Sequence, residues 1–195
     1  MADEDLKLNL GAGSKRIPGF LNVDYSPECS PDLVMNLEVT PWAFKTDSVS
    51  HVIMSHVLEH IGQTPESFIA IMTELYRICR HDAVIDIIVP HHAHDNFYSD
   101  PTHVRAVTLM TLALFDKENN LQWRAIGVPN SPLALQSGVN FKIVKSQNMV
   151  AEETLEDLRR LKEKDPFLHD MFVKYGRNII SSVYLQVRVV KEDAV

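Results

Sequence analysis

The chain holds only two cysteines, Cys29 and Cys79, in 195 residues. They have no metal-motif spacing and form no disulfide framework. The expectation is two reduced, mostly buried thiols in a cytoplasmic protein. No apolar run approaches the length of a membrane span, so no membrane association is expected. The start, Met1-Ala2-Asp3-Glu4-Asp5, lacks the basic and apolar regions of a secretory signal. Basic charge is also short: 19 Lys and Arg against 26 Asp and Glu leave a net charge of −7. Phosphate contacts need clustered Lys and Arg, so DNA is not an expected partner. No internal repeat or low-complexity segment stands out. What is present is ordinary for a globular protein, 45% hydrophobic and 23% charged. The length suits one domain, residues 1–195, with a sizeable core.

The most informative stretch is Leu8-Asn9-Leu10-Gly11-Ala12-Gly13-Ser14, an apolar strand running into a glycine turn. Glycine lets the backbone turn sharply and lie directly against a ligand. Asp24 follows in Phe20-Leu21-Asn22-Val23-Asp24, where an acid at a strand tip can accept hydrogen bonds from a ribose diol. Two features depart from the dinucleotide fingerprint. Its third glycine would fall at Arg16, and the helix that would aim at a pyrophosphate is broken by Pro18-Gly19. The interval from Gly11 to Asp24 is thirteen residues, where the fingerprint wants about twenty. S-adenosyl-L-methionine has a ribose, an adenine and a charged amino-acid end but no phosphate. It needs the turn and the acid and can lose the helix, so it is favoured over a dinucleotide. A bare strand-to-loop turn is the bland alternative.

Further along, short strands are expected at Leu6–Leu10, Phe20–Asp24, within Pro31–Leu37 and at Val49–Ser55. Thr64-Pro65-Glu66 is a good helix start. Phe68, Ile71, Met72, Leu75, Ile78 and Cys79 then keep helical spacing, with Arg77, Arg80 and His81 at the C-terminus. Ala83–Val89 is apolar except for Asp86, as for a strand buried on both faces. Residues 90–104 read as a polar loop, Thr108–Phe115 as a short helix, and 116–137 resist assignment. Val139–Val150 and Asn178–Val190 read as strands. Between them lies a helix over 152–164 with Leu155, Leu158 and Leu161 inward, interrupted at Asp165-Pro166, then a second helical stretch to Gly176. This order argues for a mostly parallel sheet.

Several segments together resemble a known group. Leu8 to Gly13 followed by Ile17-Pro18-Gly19-Phe20-Leu21-Asn22-Val23-Asp24 is similar to the opening of small class I S-adenosyl-L-methionine-dependent methyltransferases. These are like the broad type 11 methyltransferases but have a compressed first loop. Asp47 to Ile61, with Leu58-Glu59-His60, resembles the fourth-strand motif of that superfamily. Glu74-Leu75-Tyr76-Arg77 with the strand after it, and Asp100-Pro101-Thr102-His103-Val104-Arg105, resemble further elements. The match spans roughly residues 6–115. It implies a single Rossmann-like α/β domain with an antiparallel last strand and a first helix shortened or replaced by a loop at Ser14–Gly19. Gly11, Ala12 and Gly13 would then approach the methionine part and ribose, and Asp24 would hold the ribose hydroxyls. Asn36, Leu37 and Glu38 would lie near the adenine, with Ser55 and His56 beside the methionine part or the acceptor. Asn9 stands where the group often carries an acid. It can hydrogen-bond but offers no full charge to the cofactor's ammonium. Lys15 and Arg16 are candidates for the cofactor carboxylate, or solvated loop cations.

Eight of the nine histidines lie between His51 and His103. Loops after the fourth and fifth strands open at one carboxyl edge, so the cluster is expected to rim the pocket. Three readings stand: an acceptor site with a histidine as general base, a metal site, or hydrogen-bonded loop histidines. For chemistry Asp100 and His103 rank first and His56 next, while His51, His81 and His169 are structural. Phe97, Tyr98 and Arg105 could close over a small acceptor or pack on the domain, and Trp42 and Trp123 line the pocket or pack in the core. The functional expectation is methyl transfer from S-adenosyl-L-methionine to a small-molecule or sugar-like acceptor. No Asn-Pro-Pro-Tyr-like motif for amino-group methylation of bases is present. The alternatives are a non-catalytic module that binds this cofactor or S-adenosylhomocysteine, and a metal-dependent enzyme using His91, His94, Asp95 and His103. A homodimer through residues 150–176 is left open.

Overall fold

Alternating apolar positions and a reversal of crossover direction organise the molecule. A computed structural model describes residues 5–191. Most of the N-terminal start, Met1–Glu4, lies outside the described residues, as do residues 192–195. The strands are β1 (Leu6–Leu10), β2 (Leu21–Asp24), β3 (Leu33–Val34), β4 (Val49–Ser55), β5 (Cys79–Pro90), β6 (Phe141–Val150) and β7 (Ile180–Val189). The helices are α1 (Pro65–Ile78), α2 (Asp95–Ser99), α3 (Leu109–Ala113), α4 (Lys117–Ala125), α5 (Leu133–Ser137), α6 (Leu155–Lys164) and α7 (Pro166–Tyr175). All seven strands share one sheet in the order β3-β2-β1-β4-β5-β7-β6. β1 to β5 run parallel to one another, and β7 is antiparallel to both β5 and β6.

From β1 the chain steps outward to β2 and β3, then returns to add β4 and β5 on the other side. Right-handed crossovers in opposite directions fall on opposite faces of the sheet. The helix α1, between β4 and β5, covers one face. Its N-terminus is capped by Thr64 in a reciprocal box with Ser67, and it buries Phe68, Ile71, Met72, Leu75 and Ile78. Each of these side chains contributes about 1.5–3 kcal/mol by leaving water. The opposite face would be covered by a helix between β1 and β2. Instead residues 11–20 are turns and loop without a helix, as the Pro18-Gly19 break implies. Phe20 from this loop lies edge-on to His51 of β4, with ring centres 5.2 Å apart.

That substitution corrects one expectation. Ala83, Ile85, Ile87 and Val89 are buried, but Val84, Asp86 and Ile88 are only half-buried, because no helix lies over them. The open face carries a polar cluster among these apolar residues. Asp86 accepts from Tyr184 Oη at 2.5 Å and Gln186 Nε2 at 2.8 Å, and lies 2.6 Å from His51 Nε2. Burial pushes the Asp86 carboxyl up, yet the hydrogen bonds from Tyr184, His51 and Gln186 together hold it below the usual range. Burial and its bond to Asp86 push the Tyr184 phenol up to about 12.

Other boundaries also shift. Cys79 is extended and opens β5 instead of ending α1, so His81 lies on a strand. The Cys79 thiol is pushed up to about 12 by burial, while Cys29 is half-buried. Only Leu158 of the leucine stripe is buried; Leu155 is 48% exposed, because α6 and α7 pack on each other at the margin. Residues 116–137 hold α4 and α5, joined by Asn120, whose Oδ1 accepts from Ala134 N. Among the described residues no helix is long and apolar enough to cross a membrane.

A partly buried ion pair ties the segment after β3 to α1. Glu74 accepts from Trp42 N at 2.6 Å and from Arg77 Nε and Nη2 at 2.8 and 2.6 Å. Arg77 also donates to the Phe44 carbonyl at 2.8 Å. The Arg77 hydrogen bonds hold the Glu74 carboxyl below its ordinary value of 4.5. A depressed carboxylate stabilises the fold above its unfolded pKa and loses that contribution as pH falls. Glu74→Ala should therefore cost about 2–3 kcal/mol at neutral pH, with Trp42 N left unpaired and Arg77 deprived of its carboxylate. The deficit relative to wild type should shrink as pH falls below 4.5. Urea unfolding followed across pH measures both.

Candidate functional site

The reversal of direction between β1 and β4 leaves a crevice at the carboxyl ends of the parallel strands, where open α/β sheets bind ligands. Four predicted segments arrive there. β1 ends in the glycine turn, with Gly11 at φ +67° and Gly13 at φ +52°. The two glycines serve different needs. A Cβ on Gly11 would lie 2.4 Å from Val57 Cγ2, so the turn lies directly against the segment after β4. A Cβ on Gly13 would meet nothing within 4 Å, so Gly13 borders open space.

Asp24, at the end of β2, joins this turn. Its Oδ2 accepts from Gly13 N at 2.7 Å, and its Oδ1 accepts from Ser26 N at 2.9 Å. Although 7% exposed, the carboxylate is fully oriented by backbone donors. Each oxygen keeps a lone pair for a further donor such as a ribose hydroxyl. Ala12 N donates to the Val23 carbonyl at 3.0 Å and closes the same corner. After β3, Leu37 is buried, with its carbonyl accepting from Trp42 Nε1 at 3.2 Å. Exposed Asn36 accepts from Glu38 N at 2.9 Å, and Glu38 accepts from Gly62 N at 3.0 Å. The segment after β3 is thereby fastened to the segment after β4. Trp42 is a core residue, and Trp123 sits half-buried on α4.

Asn9 spends its amide nitrogen on the loop. Its Nδ2 donates to Asn22 Oδ1 at 2.9 Å and to the Lys15 carbonyl at 3.0 Å. An aspartate could make neither bond, so asparagine at this position belongs to the loop. Asn22 in turn accepts from Ile17 N at 2.8 Å and donates to Asp32 Oδ2 at 2.8 Å. Arg16, a candidate for a ligand carboxylate, is instead paired with Asp32 and donates to the Ser30 carbonyl at 2.5 Å. Hydrogen bonds from Asn22 and Arg16 hold the Asp32 carboxyl down at about 2.

At the end of β4, Ser55 is half-buried and His56 adopts φ +57°. His56 N donates to the Ile88 carbonyl at 2.8 Å, which seats it at the β4–β5 edge with its side chain half exposed. Its Nδ1 lies 3.2 Å from Glu59 Oε1. Glu59 is a residue that the sequence reading passed over. Its signal was the His56-Val57-Leu58-Glu59-His60 spacing, which places an acid between two metal-capable rings.

The histidine-rich loop divides into two parts. His91 and His92, with ring centres 4.3 Å apart, line a cleft of about 560 Å³ with Asp170, Val173 and Lys174 of α7. Burial, then the neighbouring His92 and His94, push the His91 pKa down. His94 caps α2 by accepting from Asn96 N at 3.1 Å, and Asp95 is held by Arg177 and Asn178. These residues do not gather with His103. Among the described residues the group of metal-capable side chains is Glu59, His60 and His103. Asp100 and His103 meet through the backbone, His103 N donating to the Asp100 carbonyl at 3.2 Å, but their side chains bond elsewhere. Asp100 Oδ1 accepts from Thr102 N and Oγ1 at 2.8 and 2.6 Å, while His103 Nδ1 donates to the Phe97 carbonyl at 2.7 Å. Those Thr102 bonds push the Asp100 pKa down. Phe97 stacks on His103, Tyr98 is largely exposed, and Arg105 packs on Phe68 with its guanidinium 4.0 Å from the ring centre.

No family model matches the chain, and no curated protein matches it in sequence. Solved structures do match in fold. A SAM-dependent methyltransferase from Archaeoglobus fulgidus superposes with TM-score 0.58 at 15% identity, over 93% of this chain and 85% of that one. A protein described as a SAM-dependent methyltransferase from Methanosarcina mazei gives 0.56 at 13%, over 98% and 95%. The [4+2]-cyclase SpnF gives 0.51 at 12%, over 95% and 74%. The chain therefore has the class I methyltransferase fold. The cyclase shows that this fold is not tied to one reaction.

The two glycines should respond differently to substitution. Gly11→Ala combines left-handed strain with overpacking on Val57 and should destabilise by about 2–4 kcal/mol. Gly13→Ala meets strain alone and should cost about 1–2 kcal/mol. Urea denaturation of both variants gives the comparison.

Proposed function

We propose that the chain binds S-adenosyl-L-methionine at the carboxyl edge of β1, β2 and β4 and transfers its methyl group to a small-molecule or sugar-like acceptor. The supporting observation is Asp24, a nearly buried carboxylate oriented by Gly13 N and Ser26 N beside open space. Such a carboxylate suits a ribose diol. A dinucleotide is disfavoured by the absence of a helix N-terminus after the glycine turn to meet its pyrophosphate. On this reading Gly11, Ala12 and Gly13 pass close to the methionine part, Asn36, Leu37 and Glu38 flank the adenine, and Ser55 and His56 face the reacting end. The cofactor supplies a sulfonium methyl carbon open to direct displacement, the S–C bond breaking as the acceptor bond forms. The protein aligns the acceptor and removes its proton. His56, half exposed at the strand end, and His103 with Asp100 in its loop are the proposed groups at that edge.

Titration calorimetry with S-adenosylhomocysteine tests the binding step. Wild type should bind, and Asp24→Ala should weaken affinity by roughly 10- to 100-fold, the worth of hydrogen bonds to a charged group. A thermal melt of the variant separates loss of contact from loss of fold. Absence of binding to the folded wild-type chain would overturn the proposal. Transfer of a labelled methyl group into a metabolite extract then distinguishes an enzyme from a binding module.

A further inference from the structure

The turn after β4 contains a buried carboxylate that the proposed cofactor site does not use. Glu59 is 0% exposed. Its Oε1 lies 3.2 Å from His56 Nδ1, and its Oε2 has no hydrogen-bond partner among the described residues. An interior carboxylate oxygen without a donor is strongly unfavourable unless a cation or proton meets it. Two imidazoles stand beside it. One oxygen of Glu59 and one ring nitrogen each of His60 and His103 lie within 4.8 Å of one another.

The hydrogen bonds around these rings fix their tautomers. His103 Nδ1 is 2.7 Å from the Phe97 carbonyl, which can only accept, so Nδ1 carries the hydrogen and Nε2 presents a lone pair. Phe97 also stacks on this ring and holds its plane. His60 Nδ1 is 2.9 Å from Thr102 Oγ1. The Thr102 hydroxyl donates to Asp100 Oδ1 at 2.6 Å, so it accepts from His60 Nδ1–H and leaves His60 Nε2 bare. Metal-binding histidines are oriented in this way, by a carbonyl or carboxylate behind the ring.

We propose that Glu59, His60 and His103 bind one divalent transition-metal ion, with zinc preferred. Two neutral imidazoles and one carboxylate form a three-ligand set that leaves a fourth tetrahedral position open. Nitrogen-rich donors select zinc over magnesium or calcium. The ion would neutralise the buried Glu59 charge. Asp100 then acts as a positioning residue, through Thr102, for His60. His103 becomes a ligand, and a metal-bound water in the open position, once it has lost a proton to solvent near neutral pH, would supply a hydroxide as proton acceptor. The site is carried by its own donor geometry and does not rest on the methyl-transfer reading.

The test uses the full chain stripped of metal by a chelator and returned to chelator-free buffer. Zn²⁺ is titrated by calorimetry and Co²⁺ by its ligand-field absorption. One ion per chain is expected, unaffected by millimolar Mg²⁺. His60→Ala and His103→Ala should each weaken Zn²⁺ binding by about 100-fold or more, and Thr102→Val by about tenfold. Glu59→Gln should act like the ligand losses. Should it fail to fold, exposed Thr102 and half-buried His60 keep the test sound. A His91→Ala, His92→Ala variant should bind as wild type. Absence of Zn²⁺ uptake, as when a water meets Glu59 Oε2, would overturn the proposal, as would binding lost with His91 and His92 but kept without His103. Binding of Zn²⁺ without S-adenosylhomocysteine would leave this site standing and sink only the cofactor reading.

Discussion

Two buried asparagines in register, Asn9 on β1 and Asn22 on β2, hold the loop that occupies the place of a crossover helix. A helix satisfies its own backbone groups. A loop at the same place must find partners elsewhere, and it finds them in amide side chains. Asn9 donates to the Lys15 carbonyl, and Asn22 accepts from Ile17 N and donates to the Phe20 carbonyl. Asp32 and Arg16 continue the chain of bonds to the β3 side. With the loop pinned, Gly13 N meets Asp24 and the crevice takes its shape. Asn9 and Arg16 looked from the sequence like groups near a ligand. Arg16 is paired within this scaffold, and Asn9 gives it its amide nitrogen.

The same loop decides the character of the sheet. A helix over the second face would require apolar residues there. Without one, that face carries His51, Asp86, Tyr184 and Gln186 in a closed set of hydrogen bonds. The first face keeps the apolar side chains and α1. The chain thus divides its strands into a dry face that holds the fold together and a wet face that needs its own polar pairing. The carboxyl edge above both is free to vary chemically, since stability is secured below it.

Much of the frame could be read along the chain, and for physical reasons. Pro18-Gly19 excludes a helix whatever the tertiary setting. Thr64-Pro65 and the Phe68–Ile78 spacing specify α1, and the alternation in Val49–Ser55 specifies β4. The boundary at Cys79 was not legible, because its apolar side chain fits the end of α1 and the start of β5 equally well. The leucine stripe of α6 misled because periodicity shows which residues share a face, not what that face meets. Leu155 meets solvent.

At the site, local motifs and distant partners separate cleanly. Gly11, Gly13 and Asp24 were visible because each responds to its own backbone or strand end: a left-handed turn, open space, the tip of β2. The histidines were visible only as a crowd. Their sorting depends on hydrogen bonds to groups far along the chain: Thr102 for His60, the Phe97 carbonyl for His103, Asn178 and Arg177 for Asp95. The amino-acid sequence by itself determined the strand order's raw material, the missing helix and the glycine–acid corner, since these follow from backbone chemistry at single positions. Only the tertiary structure decided that Asn9 and Arg16 serve the scaffold and that Glu59, His60 and His103 face one another. Burial and hydrogen-bond partnership are properties of packed neighbours, and no local pattern contains them.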